Sequence, residues 1–178
     1  MTVVKTHIIF AKYNAEADKQ VVAALGKMSN DEREKDRGSY YGSLSGLARH
    51  LLGGTIFFGS MFTKTLSGNA AASKALLSLA AVQQPLKGVL TKSQWNETAA
   101  AIDSADKAYI AMSEALSEND LDAPVELNWY EGNPASVPLA FMLQQLTAHN
   151  THHRGQISQI LDELKIDNDF SGINVKFL

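Results

Sequence analysis

At 178 residues, 45% hydrophobic and 20% charged, the chain has room for one well-cored domain of ordinary globular composition and little room for two. A formal charge of -3 and a pI near 5.9 argue against a nucleic-acid-binding surface, which would carry concentrated positive charge. The absence of cysteine excludes disulfides, thiolate metal ligands and a cysteine nucleophile, and suits a reducing cytoplasm.

The stretch MTVVKTHIIFAKYNAEADKQ has no basic segment running into a long apolar one, so no secretory signal is expected. Helical spacing begins at once. From Val3 to Met28 the residues Ile9, Tyr13, Ala17, Val21, Leu25 and Met28 form one stripe at steps of three and four. NDEREKDR, Asn30 to Arg37, mixes both signs of charge and reads as a solvated turn. Gly38 precedes a second helix from Ser43 to Phe62, with Leu44, Leu47, Leu51 and Phe58 aligned. Its most apolar part, Leu51 to Phe62, is too short for a membrane span.

A short alanine-rich helix follows from Ala70 to Val82, closed by Pro85 and Gly88. The third long helix, Ser93 to Leu116, aligns Trp95, Ala99, Ile102, Tyr109, Met112 and Leu116. Val125 to Tyr130 alternates apolar and polar residues, as a short strand does. Gly132 and Pro134 then precede Ser136, the expected N-cap of a fourth helix from Val137 to Leu164, with Pro138 in its first turn. Its stripe is Leu139, Met142, Leu143, Leu146, Ile157, Ile160 and Leu164. The tail DNDFSGINVKFL is not helical, and Phe170, Ile173 and Val175 are expected to fold back on the surface. The fold class is therefore all-α: a four-helix bundle with long connections, a short extra helix and a small extended segment before the last helix, in one domain spanning 1–178.

Within LTAHNTHHRGQ stand three of the five histidines. At roughly 100° per residue, His149 and His153 fall inside the apolar stripe of the fourth helix, while His152 lies about 120° from its centre. Residues four apart are neighbours on a helix, so His149 and His153 can share one cation, each offering a nitrogen at about 2.0–2.1 Å. The competing reading is a pair of hydrogen-bonded core histidines. A third ligand would come from His7, His50 or a carboxylate. His50 sits among Gly46, Gly53 and Gly54, which would let another helix approach, whereas His7 is near the start of the first helix. A zincin-type protease is not expected, because Asn150 stands where H-E-x-x-H needs its glutamate base.

The run HNTHHRGQ, His149 to Gln156, together with Tyr13-Asn14 and KDRGSYYGSLSG, Lys35 to Gly46, followed by His50, resembles the DinB/YfiT-like superfamily of metal-binding bundles, and within it the DinB branch. The resemblance runs nearly end to end. It implies a site in which His50, His149 and His153 hold one divalent metal, nickel or zinc, with His152, Arg154 and Gln156 in the signature but not ligands. Arg154 and Gln156 would pair with neighbouring helices or a dimer partner. The chain departs from the family pattern at Arg49, in place of an asparagine, and at Glu16 and Thr55 to Phe58, in place of tryptophan and acidic positions. These changes concern the pocket lining more than the ligands.

Three imidazoles leave a metal with open positions, the arrangement of a catalytic site. The resemblance implies a thiol-dependent S-transferase using a low-molecular-weight thiol. Two alternatives stand beside it: a hydrolase in which the metal activates water, and a non-catalytic metal- or ligand-binding stress-response protein. It also implies a homodimer, for which the apolar Ile56 to Phe62 segment is a candidate face; composition, the short apolar run and the acidic pI are the grounds for expecting a cytoplasmic location without membrane or nucleic-acid partners. Tyr40, Tyr41 and Arg49 lie near His50 in sequence, and spacing does not say which of them faces the site.

Overall fold

The computed structural model describes residues 1–127 and 135–178. It is mostly helical. In chain order stand α1 (Val3–Gly26), α2 (Asn30–Glu34), α3 (Leu44–Thr65), α4 (Ala70–Ala80), α5 (Lys92–Glu114), α6 (Glu118–Leu121), strands β1 (Pro124–Leu127) and β2 (Ala135–Pro138), α7 (Leu139–Glu163) and a 3-10 turn, Val175–Phe177. Side-chain caps set most of the helix starts. Thr2, Ser43 and Asn69 each accept from the backbone N–H three residues on, and Thr91 forms a reciprocal capping box with Gln94.

The expected long helices are present with ends moved by at most three residues. The fourth is the exception at its start. Ser136 is not its N-cap, because residues 135–138 pair antiparallel with β1, placing Val137 opposite Val125 and Ser136 opposite Glu126. Pro138 takes the cap position without a side-chain bond, and the N–H of Leu139 donates to the Ala123 carbonyl at 2.9 Å. The expected extended segment is thus β1 as far as Leu127. Its continuation through Asn128 to Tyr130, and the breakers Gly132 and Pro134, lie outside the described residues.

NDEREKDR is not a solvated turn. It contains α2, and Arg33 is buried beneath it, donating to the Leu25 carbonyl and to Asn30 Oδ1 with its guanidinium over Trp95. Charge alternation marks solvent exposure only where no aromatic face or free helix-end carbonyl lies within reach of the arginine.

Helix α1 packs on α5 and α7, α3 on α7, α5 and α4, and α4 on α5. The core they share includes Leu25, Leu44, Phe62, Met112, Leu143, Leu146 and Ile157. Ile56, Phe58 and Phe62 are buried within the chain itself, which accounts for most of the apolar character of the Ile56 to Phe62 segment. In the tail, Phe170 is buried as expected, but Ile173 and Val175 are exposed, and Phe177 packs in their stead. Among the described residues, no helix is long and apolar enough to cross a membrane.

Candidate metal centre

The contact between α3 and α7 brings His50 against His149 and His153. One ring nitrogen from each lies within 4.8 Å of the other two, and Nε2 of His149 is 2.9 Å from Nε2 of His50. The three ring centroids are 4.3–4.8 Å apart. Gly54 makes this approach feasible. A Cβ there would stand 2.5 Å from Cε1 of His149, closer than real side chains approach.

The outer nitrogens are held by amides. Nδ1 of His149 lies 3.0 Å from Oδ1 of Asn150, and Nδ1 of His153 lies 2.7 Å from Oε1 of Gln156. Amide oxygens accept, so each Nδ1 carries the proton it donates outward, and in the neutral ring that leaves Nε2 as the nitrogen with a free lone pair. Burial, reinforced by the neighbouring His153 and His149, brings the His50 imidazole down to about 4. Burial also lowers His153, against the opposing Gln156 hydrogen bond. Both rings are therefore neutral near pH 7, the form that ligates metals. Two nitrogens on one ion at 2.0–2.1 Å lie at most about 4.2 Å apart, so small rotations bring all three within reach of a shared ion. The donor set fits a borderline divalent metal.

Tyr41 joins this cluster. Its hydroxyl is 2.9 Å from Nε2 of His50, its ring stacks on His50 with centroids 3.9 Å apart, and its edge faces His153. Tyr40, by contrast, is 95% exposed. Arg49 turns away and donates to the carbonyls of Leu86 and Gly88 at 2.7 and 2.8 Å, clasping the connection between α4 and α5.

A buried polar layer lies beside the cluster. Arg154 donates to Asp18 Oδ1 at 3.0 Å and to Asn14 Oδ1 at 2.6 Å on α1, with its guanidinium over the Tyr13 ring. This is the helix partner expected for Arg154, whereas the partner of Gln156 is His153 itself. His152 is exposed, as its position away from the apolar stripe requires, and His7 lies away from the cluster near Glu118. Asp18 is a neighbour of the site that sequence reading did not single out, and Asn14 and Asn150, noted in the sequence for other reasons, prove to be partners of Arg154 and His149. Asn14 and Asp18, one turn apart, lie on the same side of the stripe residue Ala17 on α1, and Asn150 takes a stripe position between Leu146 and His153 on α7.

The fold and cluster define a helical protein with three histidines, from two packed helices, gathered closely enough to hold one metal ion. A family model described as DinB family matches residues 1–164, and the chain belongs to that family. Comparison with curated proteins finds no match.

Proposed function

We propose that the protein is a divalent-metal-dependent enzyme in which His50, His149 and His153 bind one nickel or zinc ion, acting as a thiol-dependent S-transferase. In this reading α1, α3, α5 and α7 form a four-helix bundle, the chain is one domain spanning 1–178, and the protein works in the cytoplasm as a homodimer on a small-molecule substrate. The observation that carries the reading is the inward convergence of the imidazoles, with Asn150 and Gln156 fixing the outer nitrogens of His149 and His153. A metal bound there would supply Lewis acidity that holds a low-molecular-weight thiol as its thiolate. The chain's own residues orient the donors, and burial keeps His50 and His153 neutral. Phe58, its ring 5.8 Å from that of His149, adds an apolar wall. The lack of any cysteine fits a sulfur nucleophile that comes from a diffusible thiol.

The test is elemental analysis of untagged, chelator-free protein beside His50→Ala and the double variant His149→Ala/His153→Ala. About one ion per chain, lost in folded variants, supports the site. Loaded protein is then given a small thiol with monobromobimane. Faster consumption of the electrophile with metal than without supports the transferase. Turnover of activated esters without thiol would favour the hydrolase instead, and neither activity at any metal loading would favour a binding protein.

A further inference from the structure

We propose that the phenol oxygen of Tyr41 is a fourth donor to the ion held by the three histidines. The inference rests on the metal reading above and adds a ligand of different chemistry to it. Tyr41 Oη lies 2.9 Å from His50 Nε2, the nitrogen that also faces His149. Two donors at right angles on one ion, each at about 2.0–2.1 Å, are themselves about 2.9 Å apart. The oxygen therefore stands where a neighbouring donor belongs.

The backbone, and not only the phenol hydrogen bond, keeps it there. Ser39 and Gly42 form an isolated bridge, Gly42 takes a φ of +72° that favours glycine, and the Tyr41 carbonyl accepts from the Ser43 N–H at 2.9 Å. That carbonyl lies so close to α3 that a Cβ on Gly46 would be 1.9 Å from it. The turn thus holds the ring against His50 whichever partner the hydroxyl finds.

Metal binding changes that partner. A cation on the Nε2 of His50 would end that hydrogen bond in either direction, because a ligating nitrogen neither carries a proton nor accepts one, and the partly buried Tyr41 hydroxyl would lose this partner. Donation by the oxygen would replace it: the O–H bond would break with its electron pair kept on the oxygen facing the cation, and the proton would pass to solvent. Tyr40, almost wholly exposed, serves as the internal control.

Copper(II) is the probe, loaded into the full chain, with visible absorption and resonance Raman as readouts and copper per chain measured alongside. Wild type and Tyr40→Phe are expected to show a phenolate-to-copper charge-transfer band with enhanced ring modes. Tyr41→Phe is expected to bind the same single copper without them. Copper bound to wild type with no such band overturns the proposal without any variant, as does a band that survives in Tyr41→Phe. Failure of wild type to bind copper overturns this proposal and the three-histidine reading together, an outcome distinct from bound copper lacking the band.

Discussion

The imidazole of His149 occupies the space that a side chain at Gly54 would need, with Cε1 2.5 Å and Nδ1 3.0 Å from the position of a Cβ. Gly54→Ala should therefore displace His149. Overpacking costs about 1–3 kcal/mol, offset by the gain of about 1 kcal/mol for alanine over glycine within a helix. Metal affinity is expected to fall more than stability does, which parallel metal titration and urea denaturation would register. Unchanged affinity would mean that His149 is free to move without consequence.

Gln156 is exposed, yet its amide orients His153. Gln156→Ala should weaken metal binding by about 10–100-fold, as expected when a partner of a ligating histidine is removed. The unfolding midpoint of the metal-free protein should stay within error of wild type. Equal loss in both measurements would assign Gln156 a merely structural part.

Arg154 and Asp18 are both almost wholly buried, at 2% and 3% side-chain exposure. Arg154→Met removes one partner and strands the carboxylate, at a cost of about 3–5 kcal/mol. Arg154→Met combined with Asp18→Leu should recover much of that loss, since no lone charge remains. Urea midpoints of the two variants decide it, and a double variant no better than the single would show that the pair does more than neutralise charge.

Asp106 on α5 is buried beside Asp18, and burial, then the Asp18 charge, pushes its carboxyl well above the ordinary range, with Arg154 opposing. A carboxyl raised in the folded state contributes stability that is fully present below the unfolded value of about 3.9 and is lost as pH rises through the folded value. Asp106→Asn lacks that loss. Its stability relative to wild type should therefore increase steadily from about pH 4 upward, where an unfolded aspartate ionises. Urea midpoints for both proteins measured from acid to neutral pH test the sign, and a difference that shrinks with pH would refute it.

Apolar spacing locates the long helices within a few residues because their buried faces are regular: Ile9, Tyr13, Ala17, Val21 and Leu25 are all buried. The same spacing brings His149 and His153 to the core side of α7, and the glycines around His50 foretell the close approach that Gly54 permits. What spacing does not carry is pairing between distant segments. Ser136 reads as a helix cap from its neighbours alone, but its ladder bonds to β1 decide otherwise. Arg33 reads as solvent-facing until Trp95, far along the chain, is found beneath it. Tyr41 and Arg49 are equivalent candidates by distance from His50, and the turn at Gly42 together with the carbonyls at Leu86 and Gly88 separates them.

Beyond Leu164 the chain turns back until Phe170 is buried and its carbonyl accepts from the Tyr13 hydroxyl at 2.8 Å. Tyr13, Arg154, Asn168 and Phe170 line one small cavity next to the Arg154–Asp18 pair. The segment that follows the family match thus acts as a stopper against water. With it seated, the guanidinium and carboxylate attract one another through a medium of low polarisability. Cut away, it would let solvent reach that pair from the Tyr13 side, and a fixed internal strut between α1 and α7 would become an ordinary surface contact, sensitive to salt.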